Sequence, residues 1–355
     1  MYNIYITKKD KEMISNTISF LRFPLAVMVI VLHCGLADMN YSVLGLPNIQ
    51  ENYAVYYWVT WLCGHFVSNC AVPVFFIISS YLLFFNVDKY NFGVYKEKVQ
   101  RRISTLLIPY VAWNTIYLIL FYFIGHDRIV LSTVPDIFNS DISLGKFLYV
   151  AYVRPPVDGP LWFIRNLFVM VLAAPLFYWI IKRTKFLLPL CLIVSSLFSL
   201  NSFLLCFMWF SIGIACSVHK INLFRCCGKL FPYTATICIL GFLFDIVFFS
   251  QVGKHIVDYL YVARVMVVMG AGYLLVNKYH LTFSKTLLKS TFVIYAYHSI
   301  PSQLLIASLL SLLGISNLSL FFVYVISILV LIMGGYFLYV IIHKFPKFSR
   351  ILTGH

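Results

Sequence analysis

The sequence predicts an all-α integral membrane protein with about ten transmembrane helices and with both termini in the cytoplasm. Hydrophobic residues make up 61% of the 355 residues and charged residues only 11%, whereas soluble domains average about 45–50% and about 25%. Apolar stretches that approach the length needed to cross a bilayer recur along the whole chain. In addition, Lys and Arg form short clusters between alternate stretches, as the positive-inside rule requires.

A transmembrane helix needs about 20 mainly apolar residues, and ten segments approach that length. The predicted spans are residues 17–37, 66–86, 103–125, 161–181, 186–200, 203–218, 231–251, 257–277, 290–313 and 318–343. The fifth and sixth are short and are separated only by Asn201 and Ser202, so they form either a tight hairpin or one long segment. The aromatic stretch 53–65 is predicted to be an interfacial helix before the second span.

The distribution of basic residues favours ten spans with the N-terminus inside. Of the 27 Lys and Arg residues, 20 fall in the two tails and in the even-numbered loops, and the odd-numbered loops hold four. The remaining three, Arg22, Arg165 and Arg264, fall within spans. Merging the fifth and sixth spans would invert every later loop, so we expect two helices there.

The chain is predicted to form one transmembrane domain over residues 1–355, without a soluble domain. Residues 1–16 and 344–355 are predicted cytoplasmic tails. Residues 126–160 form the longest loop, which is predicted to lie outside and to cap an extracytoplasmic cleft. The basic start of the chain resembles a signal peptide, but Arg22 interrupts the apolar stretch early, so a retained first span is expected.

Composition also argues against several function classes. The net charge is +15, but the basic residues flank spans instead of covering one solvated face, which favours anionic lipid over nucleic acid. The nine cysteines have no zinc-ligand spacing, so we interpret them as small apolar residues and predict no metal. No Walker loop or dinucleotide fingerprint is present, which argues against an ATP-driven pump.

Charged residues inside spans are the main site candidates, because a charge at the bilayer centre costs at least ~2.5 kcal/mol. Arg22 and His33 are eleven positions apart, which places them on one helix face with a rise of about 16 Å. Arg22 is expected near the cytoplasmic end and His33 toward the outer leaflet. Imidazole is a general base and arginine binds phosphate. Equally, Arg22 can snorkel and His33 can form a structural hydrogen bond.

Arg165, at the outer start of the fourth span, and His298, inside the ninth, are further candidates that are equally compatible with structural roles. Arg264 and Asp245 are weaker candidates, because each can pair with another charge or reach an interface. The basic stretch 96–102 (KEKVQRR) is either a topology signal or a binding site for the phosphates of a nucleotide-bearing donor.

Five motifs, in chain order, resemble acyltransferase family 3 of membrane proteins. The first is the spacing of a basic residue, ten intervening residues and a histidine, from Arg22 to His33. In the second span Ser80 stands where the family usually has glycine, and in the fourth Asn166 stands where aspartate is more frequent. The motifs lie at residues 18–33, 71–83, 101–110, 161–167 and 292–298.

This resemblance implies an enzyme that moves an acyl group, first of all acetyl, from acyl-CoA to a hydroxyl of an envelope glycan or lipid-linked sugar. It implies a bacterial cytoplasmic-membrane protein with acetyl-CoA as cosubstrate, membrane lipids as neighbours and no permanently bound cofactor. His33 is then the catalytic residue, as general base or transient acyl carrier. The implied donor-binding residues are Arg22, Arg101 and Arg102, and the implied acceptor or oxyanion residues are Arg165, Trp162 and His298.

Two other readings remain open. A transporter or flippase for a small molecule or lipid-linked sugar would use the same charges along its path. The absence of an inverted repeat and of Gly or Pro breaks in the middle of the spans argues against it, whereas some family members are described as exporters. The third reading is a non-catalytic subunit of a polysaccharide synthase. The acceptor, the acyl chain and the oligomeric state are left open.

Overall fold

The computed structural model describes residues 8–36, 48–87, 89–124, 143–154, 156–196, 202–252 and 259–354. Every regular element in these ranges is a helix, which confirms the predicted all-α class. By length and composition, five of these helices can cross a membrane, or seven if each of two bent pairs is one span. Three more apolar helices are shorter, at Leu144–Val153, Leu187–Ser196 and Phe203–Val218. The predicted count of about ten and the cytoplasmic termini stay predictions.

The helices are numbered here in chain order over the described residues. They are α1 (Lys8–Cys34), α2 (Ile49–Asn52), α3 (Ala54–Trp61), α4 (Ala71–Phe84), α5 (Phe92–Arg102), α6 (Ile108–Ile124), α7 (Leu144–Leu148), α8 (Trp162–Leu172), α9 (Ala174–Thr184), α10 (Leu187–Ser196), α11 (Ser202–Val218), α12 (Leu223–Val252), α13 (Tyr261–Tyr279), α14 (Lys285–Tyr297), α15 (Ser299–Leu313), α16 (Asn317–His343) and α17 (Pro346–Thr353). Three π-helical segments (Leu62–Val67, Ile103–Leu107 and Tyr149–Val153) and two 3-10 turns (Ser68–Cys70 and Gly159–Leu161) connect some of them.

Several helices extend beyond the predicted spans. Helix α1 begins at Lys8, so the basic residues before the first apolar stretch are already helical. The stretch 53–65, predicted as a separate interfacial helix, is instead continuous with the second span in a 31-residue helix, Ala54–Phe84. The π-helical segment Leu62–Val67 accounts for the continuity, because an extra residue per turn changes the direction of side chains without ending the helix. The fifth and sixth predicted spans are two helices, α10 and α11, which pack together.

Two predicted spans are bent at prolines, which contradicts the expectation that no span has a break in its middle. Helices α8 and α9 meet at 64°, and α14 and α15 meet at 69°. Pro175 follows the first bend and Pro301 follows the second. Proline has no N–H and its ring clashes with the carbonyl four residues earlier, so each helix ends before its proline. For Pro301 that carbonyl belongs to Tyr297, the last residue of α14.

One compact unit comprises Met1–Leu25, Phe66–Lys98 and Val169–Leu288. Within it α4 packs on α11 and α12 on α13. A Cβ atom on Gly213 of α11 would lie 2.0 Å from Ser80 Oγ and 2.4 Å from the Ile77 carbonyl oxygen. Ser80 is fully buried and donates to that carbonyl at 3.1 Å. The side chain of Ser80 is therefore accommodated by a glycine on the facing helix.

The other unit comprises Ala26–His65, Val99–Phe168 and Lys289–His355. Here α16 crosses α14 at Gly335, where a Cβ atom would lie 2.7 Å from the Cα of Ile294. Close approach through small residues is how helices pack tightly in a bilayer. The last helix, α17, packs on α6, and the Trp113 indole N–H donates to the Leu352 carbonyl oxygen at 3.0 Å.

Candidate functional site

The bend between α14 and α15 is held open by a tyrosine from α6. Because Pro301 has no N–H, the Tyr297 carbonyl lacks its usual partner in the helix. The Tyr117 hydroxyl lies 2.7 Å from that oxygen and 3.2 Å from the Ala296 carbonyl oxygen. Tyr117 is fully buried. It therefore satisfies main-chain acceptors that the bend leaves without helical partners, and a buried carbonyl without a donor is costly.

His298 is the residue at this bend, and its tautomer follows from its bonding. Its Nδ1 bonds the Tyr295 carbonyl oxygen, and a carbonyl only accepts, so Nδ1 carries a proton. In the neutral ring Nε2 is then an acceptor. The side chain is fully buried, and Nε2 has no hydrogen-bond partner among the described residues.

His33 and His298 are brought together, although they come from opposite ends of the chain. Their ring centroids are 5.2 Å apart with an interplanar angle of 44°. His33 lies in the last turn of α1 and is exposed, whereas His298 is buried. Two imidazolium ions at this separation repel each other, so the pair takes up at most one proton easily. An exposed imidazole backed by a buried neutral one is suited to proton transfer.

Arg22 lies on the same helix as His33, because α1 is unbroken from Lys8 to Cys34 despite Pro24. Its side chain is exposed. Proline removes one main-chain hydrogen bond from a helix interior but need not end the helix in a membrane protein. The helix therefore keeps the register in which the two residues were predicted to share a face.

Arg101 and Arg102 form the last turn of α5, directly before the π-helical segment Ile103–Leu107. Arg101 is exposed and Arg102 half-buried. The hydroxyls of Ser104 and Thr105 both donate to the Arg101 carbonyl oxygen, at 2.9 and 3.0 Å. These bonds stabilise the transition from α-helical to π-helical geometry, and such segments are frequent at functional sites.

Arg165 and Trp162 lie in the first turn of α8, and their predicted acceptor or oxyanion role stays a prediction. Arg165 Nε donates to Asn166 Oδ1 at 3.0 Å, and its Nη1 donates to the Val153 carbonyl oxygen. Trp162 begins α8 and is half-buried. The guanidinium thus connects α8 to the π-helical turn Tyr149–Val153, and these bonds support the structural reading of Arg165.

The contacts of Arg264 likewise support a structural role for its side chain. It is 4% exposed, its Nη1 donates to the Phe66 carbonyl oxygen at 3.4 Å, and its guanidinium carbon lies 4.9 Å from the centre of the Tyr261 ring. Asp245 is 1% exposed. In the described part of the chain, no group of three or more His, Cys, Asp and Glu side chains is arranged to hold a metal ion.

Asp158 is the residue at the site that sequence reasoning missed. It is fully buried, its main-chain N–H donates to Asn114 Oδ1 at 3.1 Å, and it lies beside Ser299 at the start of α15. Burial raises the pKa of its carboxyl well above the usual range, and the contact with Ser299 offsets part of that effect. The sequence marks it only as one acid of a loop in a chain with 12 acidic residues.

Comparisons with known proteins bear on the family to which the chain belongs. The succinoglycan biosynthesis protein ExoH of Rhizobium meliloti (strain 1021) is 27% identical over 176 residues, or 48% of this chain and 47% of that protein. The match therefore spans about half the length of this relative. No solved structure matches the chain. The family model described as an acyltransferase domain matches residues 16–340, so this multi-pass membrane protein belongs to acyltransferase family 3.

Proposed function

We propose that the protein transfers an acyl group, first of all acetyl, from acyl-CoA to a hydroxyl of a cell-surface glycan or glycolipid, in the cytoplasmic membrane of a bacterium. Family membership supports the acyl transfer. The name of the relative from Rhizobium meliloti, a protein of succinoglycan biosynthesis, supports a polysaccharide acceptor. The observation that carries the proposal is the pairing of His33 with His298 at 5.2 Å.

In the proposed reaction His33 is the general base. It takes the proton of the acceptor hydroxyl while the acceptor oxygen bonds the acyl carbon, and the carbon–sulfur bond of acyl-CoA breaks to release the thiolate. Transient acylation of His33 is the second possible route. His298 with Nδ1 bonded to Tyr295 has no N–H left for an oxyanion. The proposal therefore assigns its Nε2 to accept a hydrogen bond from His33 or from the acceptor.

The donor-binding part of the proposal rests on two separate elements. On α1, Arg22 lies about 16 Å of helix rise before His33, a distance that a pantetheine arm can span. On α5, Arg101 and Arg102 are cationic residues at the start of a π-helical segment. Arginine binds phosphates through paired donors, so each is a candidate for the phosphates of CoA.

The first experiment measures thiol release from acetyl-CoA, and separately from succinyl-CoA, by the purified protein with an extracted envelope glycan. We expect His33→Ala to lower kcat at least ~100-fold. His343→Ala is the matched control, because His343 also lies in the last turn of a long helix, α16. Transfer by His33→Ala at the rate of the control would disprove the catalytic assignment.

The second experiment measures the affinity of acetyl-CoA by thermal stabilisation. Loss of a charge-assisted contact costs about 1.5–3 kcal/mol, so Arg22→Gln, Arg101→Gln or Arg102→Gln should each raise Kd about tenfold or more if that residue holds a phosphate. Lys278→Gln, at the exposed end of α13, is the control. An unchanged Kd removes the substituted arginine from the donor site. Mass spectrometry of envelope glycans from matched wild-type and deletion strains then identifies the acceptor.

A transporter or flippase is the second candidate, and the two bent spans favour it. Broken helices near the middle of the membrane are typical of transporters. Binding of acetyl-CoA distinguishes the two functions, since a ligand present at 100 Kd stabilises the folded state by about 2.7 kcal/mol. Absence of both stabilisation and thiol release, together with movement of a lipid-linked sugar in vesicles, would favour the transporter.

A further inference from the structure

Asp158 is fixed in the interior by its main chain. Its N–H donates to Asn114 Oδ1 at 3.1 Å, and its carbonyl oxygen accepts from the Leu161 N–H at 3.0 Å. Asn114 is itself 1% exposed and donates through Nδ2 to the Tyr110 carbonyl oxygen at 2.8 Å. These bonds fix the main chain of Asp158, and its side chain is fully buried.

The surroundings of this carboxyl belong to the bend that carries His298. Asp158 lies close enough to Tyr117 and Tyr295 for a charge on its carboxyl to act on their hydroxyl groups, and it lies beside Ser299. The Tyr117 hydroxyl already donates its one proton to main-chain carbonyls of the bend, and the Tyr295 hydroxyl donates to the Pro160 carbonyl oxygen. Neither tyrosine has a proton left for Asp158.

The carboxyl thus has two tyrosine hydroxyls near it that can only accept, and beside it the hydroxyl of Ser299, which can donate or accept. Neither of its oxygens has a hydrogen-bond partner among the described residues. The guanidinium of Arg165 lies close enough to Tyr110 for its charge to act on the tyrosine hydroxyl. Its Nε donates to Asn166 Oδ1 and its Nη1 to the Val153 carbonyl oxygen. An ionised carboxylate in this position would be a buried charge without compensation, which is strongly unfavourable. A protonated carboxyl has one O–H, which can donate to one of the hydroxyl oxygens of the two tyrosines and Ser299.

We infer that Asp158 is a positioning residue, a neutral carboxylic acid whose single proton hydrogen-bonds one of the hydroxyl groups at the α14–α15 bend and so holds His298 opposite His33. An acid kept neutral in an apolar site beside a tyrosine is a known device for hydrogen-bond donation at neutral pH. The structural part of the inference stands alone, and its catalytic consequence rests on the proposed function.

The charge state is tested by unfolding of the full-length protein in detergent at pH 5 to 8, with wild type and Asp158→Asn compared. Burial raises the folded-state pKa above the unfolded value of about 3.9, so wild type loses stability as pH rises above that value toward the folded-state pKa. The folded-to-unfolded ratio of wild type should fall about tenfold per pH unit relative to Asp158→Asn, whose amide does not titrate. The midpoint of the variant should therefore gain on wild type at higher pH. A constant difference, or a loss at pH 8, would overturn the inference.

The positioning role is tested by steady-state kinetics. Asp158→Asn should keep kcat within about threefold, because an amide is a neutral donor of the same shape, and Asp158→Ala should lower kcat at least ~10-fold with KM for acetyl-CoA unchanged within about twofold. Ser327→Ala is the control, since Ser327 is also fully buried with an unpartnered hydroxyl among the described residues.

Two outcomes would contradict the role: equal loss in Asp158→Asn and Asp158→Ala, which means that an ionisable acid is needed, or full activity of Asp158→Ala. If the wild-type protein transfers no acyl group, the proposed function fails, whereas the pH series still decides the charge state of Asp158.

Discussion

The ring centroids of His298 and His33 lie 5.2 Å apart, and Nδ1 of His298 bonds the Tyr295 carbonyl oxygen. The main chain at the α14–α15 bend therefore orients the ring of His298, whereas His33 lies in the last turn of the unbroken helix α1. Replacement of His298 should therefore alter the environment of the His33 ring.

Replacement of His298 by phenylalanine distinguishes the effect of the ring's volume from the effect of the lone pair on Nε2. His298→Phe fills a similar volume but has no acceptor, so we expect kcat to fall by about 10- to 100-fold with the fold retained. The readout is thiol release from acetyl-CoA, and His280→Phe, at an exposed position after α13, is the control. Wild-type kcat in His298→Phe would show that Nε2 takes no part in the reaction.

Loss of the tyrosine hydroxyl at the bend should destabilise the protein. Tyr117→Phe leaves the Tyr297 and Ala296 carbonyl oxygens without this donor, which costs about 1–3 kcal/mol and lowers the midpoint of thermal unfolding in detergent. Tyr122→Phe, on the same helix but 69% exposed, should leave the midpoint unchanged.

A second substitution at the same bend should restore most of the stability that Tyr117→Phe removes. Pro301→Ala restores the N–H that reaches the Tyr297 carbonyl oxygen, so the double variant Tyr117→Phe/Pro301→Ala should regain most of the stability lost in Tyr117→Phe. It should also lower kcat, because a straighter helix moves His298 away from His33. Equal midpoints of the single and double variants would show that the proline does not cause the unpaired carbonyl.

The contact of α4 with α11 predicts a compensating pair in the other compact unit. Gly213→Ala places a methyl group within 2.0 Å of Ser80 Oγ, so it should lower stability by about 1–3 kcal/mol. Ser80→Gly in the same chain should recover part of the loss, and only part, because the Ile77 carbonyl oxygen remains 2.4 Å from the added atom. Additivity of the two changes in a double-mutant cycle would refute the contact.

The C-terminal helix depends on a glycine that no other residue easily replaces. Gly354 has φ +74°, and a Cβ atom there would lie 2.7 Å from the Cα of Thr105 in the π-helical segment after Arg102. Gly354→Ala should therefore loosen α17 and speed proteolysis of the C-terminus in detergent. Gly145→Ala is the control, because nothing lies within 4 Å of that added atom. Equal cleavage rates would show that α17 does not rely on this contact.

Local patterns predicted the parts of the structure that depend on short segments. The all-α class followed from composition, and the placement of Arg22 and His33 on one helix followed from their spacing. The pairing of His33 with His298 depends on packing between distant segments, which periodicity does not encode. The two bends were missed, although Pro175 and Pro301 stand in the sequence, because apolar residues continue on both sides of each proline. Asp158 was missed because burial of a loop acid arises only from tertiary contacts.

The close contact between Ser80 and Gly213 has an evolutionary consequence. What is constrained at this helix crossing is the space shared by the Ser80 side chain, residue 213 and the main chain at Ile77. A homologue with glycine at the position of Ser80 should carry a larger residue at the position of Gly213 only where the main chain at Ile77 also shifts, because that carbonyl oxygen lies 2.4 Å from the added atom. Substitutions at these positions should therefore occur together and not singly.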